Sequence, residues 1–232
     1  MEKPRSPRGK AIKRLYGRAL DLLYPPRAVC AGCGELSGCR TDYLCESCRA
    51  ALEASRLGVL LHPFHTCLNG RAHAYAYTGP AGRIVRALKY GGVRALAPLM
   101  ARDMAAVLRP KDGPKPPRFD CVVSVPMHRY RRYLRGMNQA ELLARGVAAE
   151  LGLPWADALT RVRATKQQAR LSGEDRRKNL SGAFQADARQ VRAKSILLVD
   201  DVYTTGATAE ECAQALLAAG ATRVFLLTFA AA

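Results

Sequence analysis

Two adjacent carboxylates, Asp200 and Asp201, stand between an apolar run and a hydroxyl-rich turn in Ser195-Ile-Leu-Leu-Val-Asp-Asp-Val-Tyr-Thr-Thr-Gly-Ala-Thr208. Open α/β sheets bind ligands at the carboxyl ends of their strands, and a strand over 195–199 delivers both acids there. The turn carries Thr204, Thr205 and Gly206 and opens through Ala207 and Thr208 into an expected helix over 208–219. Free backbone N–H groups and the positive end of the helix dipole suit a phosphate, and the threonine hydroxyls add donors. The two acids, a sugar's width away, suit vicinal hydroxyls. A single threonine would suffice to cap the helix. This segment instead gathers two acids and three hydroxyls around one glycine, and buried acids without a ligand are destabilising. It reads as a 5-phosphoribose socket.

A second set of chemistry-bearing residues is the pair of CxxC motifs, Cys30-Ala-Gly-Cys33 and Cys45-Glu-Ser-Cys48. The i, i+3 spacing lets a tight turn aim two thiolates at one ion, with Gly32 and Gly34 permitting the bend. Two such turns predict a tetrahedral four-cysteine zinc site, which lets a short segment without its own core fold. Four thiolates leave no open coordination position, so the ion is structural. Cys39 is a spare small side chain in the intervening loop. His62, His65 and Cys67 lack this spacing, and whether they hold a second metal is open.

The third set is Met127-His-Arg-Tyr-Arg-Arg-Tyr-Leu-Arg-Gly136, where His128, Arg129, Arg131, Arg132 and Arg135 alternate with tyrosines and no acid intervenes. Guanidinium forks suit a diphosphate. Arginine with interleaved tyrosine equally suits single-stranded nucleic acid, and a solvated basic face is a third reading. The sequence contains no HExxH, no GxxxxGK[ST] and no Ser-His-Asp set, which excludes metalloprotease, P-loop ATPase and serine-hydrolase chemistry.

The elements that must position these groups follow from composition and periodicity. The chain has 232 residues, 49% hydrophobic and 24% charged, which excludes wholesale disorder. No run approaches the roughly 18 uninterrupted apolar residues of a spanning helix. Thirty-seven Lys and Arg against nineteen Asp and Glu give +18, an excess that points to a polyanionic partner or to arginine on solvated faces. The charge is carried by 1–30, 71–118 and 161–178, whereas 189–232 is balanced. The basic start has no apolar core before a cleavage site, so no secretory signal is read and a cytoplasmic location is expected. In that reducing compartment paired cysteines bind metal more often than they bridge.

A basic amphipathic helix is expected over 1–22, stopped by Tyr24-Pro25-Pro26. The chain then divides into 1–26 (helix and linker), 27–70 (cysteine-rich module) and 71–232 (main domain). Strands are expected from residue 72 and at 119–125, 158–162, 195–199 and 223–229, with helices over 81–90, 94–108, 137–151 and 208–219. Continuous apolar strands alternating with helices predict an α/β parallel sheet covered on both faces. The polar stretch 163–182 is long for a connection and suggests a functional loop.

With these residues in view, Ile196-Leu-Leu-Val-Asp-Asp-Val-Tyr-Thr-Thr-Gly-Ala-Thr208 resembles the PRPP-binding signature of type I phosphoribosyltransferases. Ala87-Leu-Lys-Tyr-Gly91, Val125-Pro-Met-His-Arg129, Arg135-Gly-Met-Asn-Gln139, Thr165-Lys-Gln-Gln168 and 177–184 (RKNLSGAF) narrow the resemblance to the ComF family, over roughly residues 20–230. The resemblance implies a phosphoribosyltransferase-like domain preceded by a small zinc-ribbon-like module built on four cysteines. It implies PRPP or ribose 5-phosphate as ligand, with Mg2+ accompanying PRPP. Asp200 and Asp201 would hold the ribose, 204–208 the 5′-phosphate, and the turn with Met127, His128 and Arg129 the diphosphate. The family further implies DNA uptake on single-stranded DNA beside a competence helicase, with transfer of a phosphoribosyl group to an acceptor as the alternative. Tyr203 departs from the signature, which has an aliphatic residue there; the substitution alters packing or offers a stacking face.

Overall fold

The computed structural model describes residues 29–36, 43–61, 67–110, 112–127, 133, 136–163 and 182–232. The helix expected over 1–22, Cys39, His62, His65, residues 128–135 other than Tyr133, and nearly all of the polar stretch 163–182 lie outside them. In chain order the elements are α1 (Glu46–Ala54), β1 (Val59–Leu60), β2 (Arg71–Ala76), α2 (Gly79–Tyr90) and α3 (Ala97–Val107). There follow β3 (Cys121–Ser124), α4 (Gln139–Leu151), β4 (Trp155–Ala156), β5 (Leu159–Arg161), β6 (Phe184–Ala186) and α5 (Ala188–Val191). The chain closes with β7 (Ser195–Tyr203), α6 (Ala207–Ala218) and β8 (Arg223–Ala231).

Apolar runs such as Ile196–Val199 and Val224–Phe229 have no polar face to offer water, so they lie in the middle of a sheet sandwiched by helices. The sheet has six strands in the order β1-β2-β8-β7-β3-β4, parallel throughout except where β1 meets β2. Alternate residues enter opposite cores. Leu197, Val199, Phe225, Leu227 and Phe229 pack with Ile84 and Leu88 of α2, Met104 of α3 and Leu143 of α4. Ile196, Leu198, Val224 and Leu226 pack with Cys212, Ala213 and Leu216 of α6 and with Leu159 and Phe184.

Beyond β1, β6 and α5, which the sequence reading did not include, three elements differ from it. β7 does not stop at Val199 but runs through both acids to Tyr203, because β8 continues beside it with Asp200 opposite Thr228 and Tyr203 opposite Ala231. The strand expected near 158–162 is β5, which pairs antiparallel with β6 in a separate two-stranded sheet. The main sheet ends instead on β4, whose two residues are too few to carry a period. No helix among the described residues is long and apolar enough to cross a membrane.

The cysteine-bearing segment shares the main core: Cys30, Leu44, Cys48 and Leu52 belong to the same buried cluster as α2 and α3. A polar tie crosses that junction. Buried Asp103 of α3 accepts from Arg49 of α1 at 3.2 Å, and the Tyr75 hydroxyl stands 3.0 Å from both Asp103 and Glu53 of α1, with one proton to share between them. A hydrogen bond to a charged group contributes about 1.5–3 kcal/mol. Tyr75→Phe is therefore expected to lower the unfolding free energy by an amount in that range, read from urea denaturation; a change near zero would show that the Tyr75 hydroxyl adds nothing to the tie.

Candidate functional site

After Tyr203 the chain turns through Thr204, Thr205 and Gly206 into α6. Gly206 has φ +78°, in the left-handed region, and a Cβ there would stand 2.7 Å from Tyr203 Oη. Glycine alone fits this bend. Gly206 is also the N-cap of α6, and no side chain caps that end. The first-turn N–H groups are left for an outside acceptor, and the helix dipole makes an anion the favoured one. A chamber of about 40 Å³ lies against the turn, lined by Thr204, Thr205, Gly206, Ala207 and Thr208, with Thr228 behind.

The row of residues in β7 that faces α2 continues from Val199 to Asp201, and the row facing α6 continues from Leu198 to Asp200. Asp201 Oδ1 meets Lys89 Nζ of α2 at 2.8 Å. Asp200 Oδ1 accepts the Asp201 N–H, also at 2.8 Å. Burial, and then the Asp201 carboxylate beside it, push the Asp200 carboxyl up to about 7, against the opposing pull of Lys89 and that N–H. For Lys89 burial acts downward, but the Asp201 carboxylate outweighs it and the ammonium sits above its ordinary range.

Asp200, Asp201, Thr204 and Thr208 border a single cleft of about 320 Å³. Its other walls are Tyr77 and Lys89, the 125–127 turn after β3, the start of α4 at Asn138–Ala140, and Arg161 of β5. Asn138 is the N-cap of α4 but does not cap it; its amide donates to the Val125 carbonyl at 3.2 Å. A second uncapped helix N-terminus thus borders the same cleft. The next residue, Gln139, is wholly buried, and neither its carboxamide nitrogen nor its oxygen has a hydrogen-bond partner among the described residues. An adjoining chamber of about 200 Å³ shares Pro126, Met127, Asn138 and Arg161 with the cleft and adds Glu141, Asp157 and Thr160.

Tyr203 offers the stacking face that its departure from the family signature suggested, and its occupant is Arg71. That guanidinium lies 4.7 Å from the ring centroid and donates to the hydroxyl. His73 packs on the same ring at 5.0 Å. The Thr228 hydroxyl donates to the Ala230 carbonyl, so it accepts from His73, whose Nδ1 stands 2.8 Å away and carries the proton. Burial, then Arg71, bring His73 down to about 4, which keeps the imidazole neutral behind the turn.

Of the residues singled out in the sequence, Asp200, Asp201, Thr204 and Thr208 share the cleft, while Thr205, Gly206 and Ala207 line the small chamber behind it. His128, Arg129, Arg131, Arg132 and Arg135 lie outside the described residues, although Met127 before them and Asn138 after them both line the cleft. Sequence reasoning missed Lys89, Tyr77 and Arg161 as site residues, whereas Asn138 and Gln139 are caps or ligands on the sequence alone and both border the cleft. For Lys89 a signal existed: Ala81 and Val85, at spacings of four along α2, are buried, and Lys89 continues their row. A lysine where the helical period asks for an apolar side chain marks a partnered charge.

The four paired cysteines also converge. Their sulfurs all lie within 4.8 Å of one another, with Cys30 to Cys45 at 3.6 Å and Cys33 to Cys45 at 3.9 Å. A tetrahedral thiolate site with metal–sulfur bonds of about 2.3 Å has sulfur–sulfur edges of roughly 3.8 Å, so the cluster fits one ion. The Gly32 and Cys45 N–H groups point at Cys30 Sγ, at 3.3 and 3.2 Å. Burial raises the Cys30 thiol, but N–H donation from Cys45, Cys33 and Gly32 outweighs it and brings the group to about 6. Cys67 stands apart, its amide donating to Glu210 at 2.8 Å, and no other metal-type group of three or more occurs among the described residues.

Residues 137–232 match the family described as Phosphoribosyl transferase domain. The DNA utilization protein YhgH of Salmonella typhi is 39% identical over 153 residues, 64% of this chain and 66% of that protein. Competence protein F of Haemophilus influenzae is 36% identical over 100 residues, 42% of this chain and 44% of that protein. Competence protein ComFC of Bacillus subtilis is 26% identical over 209 residues, 88% of this chain and 83% of that protein. The chain therefore spans just under two thirds of the YhgH protein and most of ComFC.

Because the cysteine cluster shares its core with α2 and α3, an ion held there stabilises the whole chain. Treatment with a strong chelator is expected to lower the temperature of the main unfolding transition by several degrees, followed by circular dichroism. An unchanged midpoint in metal-loaded protein would count against an ion at these sulfurs.

Proposed function

From the match to the Phosphoribosyl transferase domain family and the likeness to YhgH and ComFC, we propose that the chain is a DNA-uptake protein of the ComF family whose cleft binds PRPP. One observation carries this reading: an uncapped helix N-terminus and two carboxylates face the same cleft. The 5-phosphate of the sugar docks on the N–H groups and hydroxyls of 204–208. The 2- and 3-hydroxyls of the ribose donate to Asp200 and Asp201. The diphosphate on C1 extends toward the 125–127 turn and the start of α4, a second set of free N–H donors. Ribose 5-phosphate, which lacks the diphosphate, uses the first two contacts only.

Mg2+ travels with the diphosphate and neutralises part of its charge. The oxygen donors that border the cleft suit a hard cation, with the ligand's own oxygens and water completing its shell. The ion of the cysteine cluster is zinc, which favours four thiolates in a closed tetrahedron and so serves structure alone.

The DNA part of the reading draws on charge. Residues 71–102 contain no acid, and Arg83, Arg86 and Arg94 are exposed on or beside α2, with Tyr90 exposed at its end. Arginines that track phosphates, with tyrosines on which bases stack, suit single-stranded DNA delivered by a competence helicase. A second reading, phosphoribosyl transfer, is favoured by the adjoining chamber with Glu141, Asp157 and Thr160. It offers room for an acceptor whose nitrogen bonds to C1 as the diphosphate leaves.

The PRPP reading is tested by calorimetric titration with Mg2+ and PRPP. Asp200→Asn combined with Asp201→Asn is expected to abolish binding while the fold survives; unchanged binding would refute the socket. The wild-type titration has a pH signature. Asp200 holds its proton up to about 7, well above an unfolded carboxyl near 3.9. Ligand hydroxyls need the ionised form, so affinity is expected to rise as pH increases toward 7, with proton release, and to level off above it. Affinity that falls over that interval would contradict this.

Single-stranded DNA is expected to bind with strong salt dependence, weakening steeply between about 50 and 200 mM salt by fluorescence anisotropy. Binding that is absent at low salt, or flat across that range, would remove the DNA reading.

A further inference from the structure

Lys89 and Arg161 both border the cleft from outside the strand–turn–helix segment, and Lys89 is paired with a carboxylate of the socket. We propose that this residue, Lys89, is the one by which the cleft distinguishes a sugar carrying a diphosphate on C1 from the bare sugar 5-phosphate. The assignment rests on the PRPP reading above and adds to it a residue that the socket's own segment does not contain.

Lys89 enters the cleft from α2, across from the turn. It borders the large cleft but not the small chamber behind Thr204–Thr208. With a 5-phosphate on that turn, its ammonium lies on the far side of the sugar, on the same cleft wall system as Met127 and the start of α4. The side chain is only 21% exposed and stands in an apolar row, where a charge without a partner would be strongly disfavoured. Its partner is Asp201, itself 11% exposed, at 2.8 Å.

When ribose hydroxyls donate to Asp201, they take up acceptor positions that the ammonium now uses. An ammonium has three N–H donors on a flexible four-carbon stem, so it can keep one bond to Asp201 and aim the others at a neighbouring anion. A C1 diphosphate supplies that anion; a C1 hydroxyl does not. Lys89 therefore contributes to binding of the first ligand and is neutral toward the second.

The experiment is a calorimetric titration of the full chain with PRPP and, separately, with ribose 5-phosphate, each with Mg2+. It compares wild type with Lys89→Met and Lys89→Gln. The glutamine variant keeps a donor for Asp201 and serves where the methionine variant fails to fold, as judged by thermal melting. Wild type is expected to prefer PRPP. Either folded variant is expected to lose at least tenfold in PRPP affinity while ribose 5-phosphate affinity changes less than threefold. Equal losses for both ligands would mean that Lys89 only supports Asp201, and would overturn the assignment. No loss for either would overturn it too, leaving the PRPP reading standing. Wild type binding neither ligand would remove that reading and this assignment together.

Discussion

Two carboxylates on consecutive residues, at the deep end of a buried strand, are the constraint around which this molecule is arranged. Strand geometry sends them to opposite faces of the sheet, so Lys89 pairs directly with Asp201 and acts on Asp200 only through space. Asp201 is answered by Lys89 from α2 at 2.8 Å, and Asp200 by the same ammonium at longer range and by the next backbone N–H. Burial, and then the Asp201 carboxylate beside it, outweigh those two and hold the Asp200 carboxyl up. A protein carrying +18 overall thus keeps a local pair of acids incompletely compensated, where a ligand with hydroxyl donors completes the set.

Holding Lys89 against Asp201 requires α2 to be fixed from both sides. On its inner face Ile84, Val85 and Leu88 pack on the sheet. On its outer face Arg83 donates to the Gly32 carbonyl, between the first pair of cysteines, at 2.8 Å. The cysteine turn and the acid pair are therefore linked through one helix, although they stand far apart in sequence. The Asp103 tie to Tyr75 and Arg49 fixes the neighbouring α1 in the same junction.

What was legible in the sequence follows the range over which each signal acts. The strand–turn–helix around Asp200, the bend at Gly206 and the two CxxC turns are local patterns, and the structure brings their residues together. The parallel α/β architecture was equally readable, because a strand buried on both faces has no alternation to hide. β4 and β6 were not, since two or three residues cannot establish a period, and β5 was assigned without its antiparallel partner. Lys89 and Arg71 escaped for a different reason. Each is meaningful only through a partner brought near by strand order, Asp201 in one case and Tyr203 in the other. Tyr203 itself was noticed, but nothing local could say that a guanidinium from β2 would cover it.

The chain contains one tryptophan, Trp155, on the two-residue edge strand beside β3. The Arg145 guanidinium of α4 lies 3.6 Å from its ring centroid, and the indole nitrogen is buried without a hydrogen-bond partner among the described residues. Since α4 begins at the cleft and carries that arginine along its length, the helix couples the cleft mouth to a single chromophore. The molecule carries a built-in optical gauge: its emission colour and intensity record how α4 is seated, with no label attached and no second indole to blur the signal.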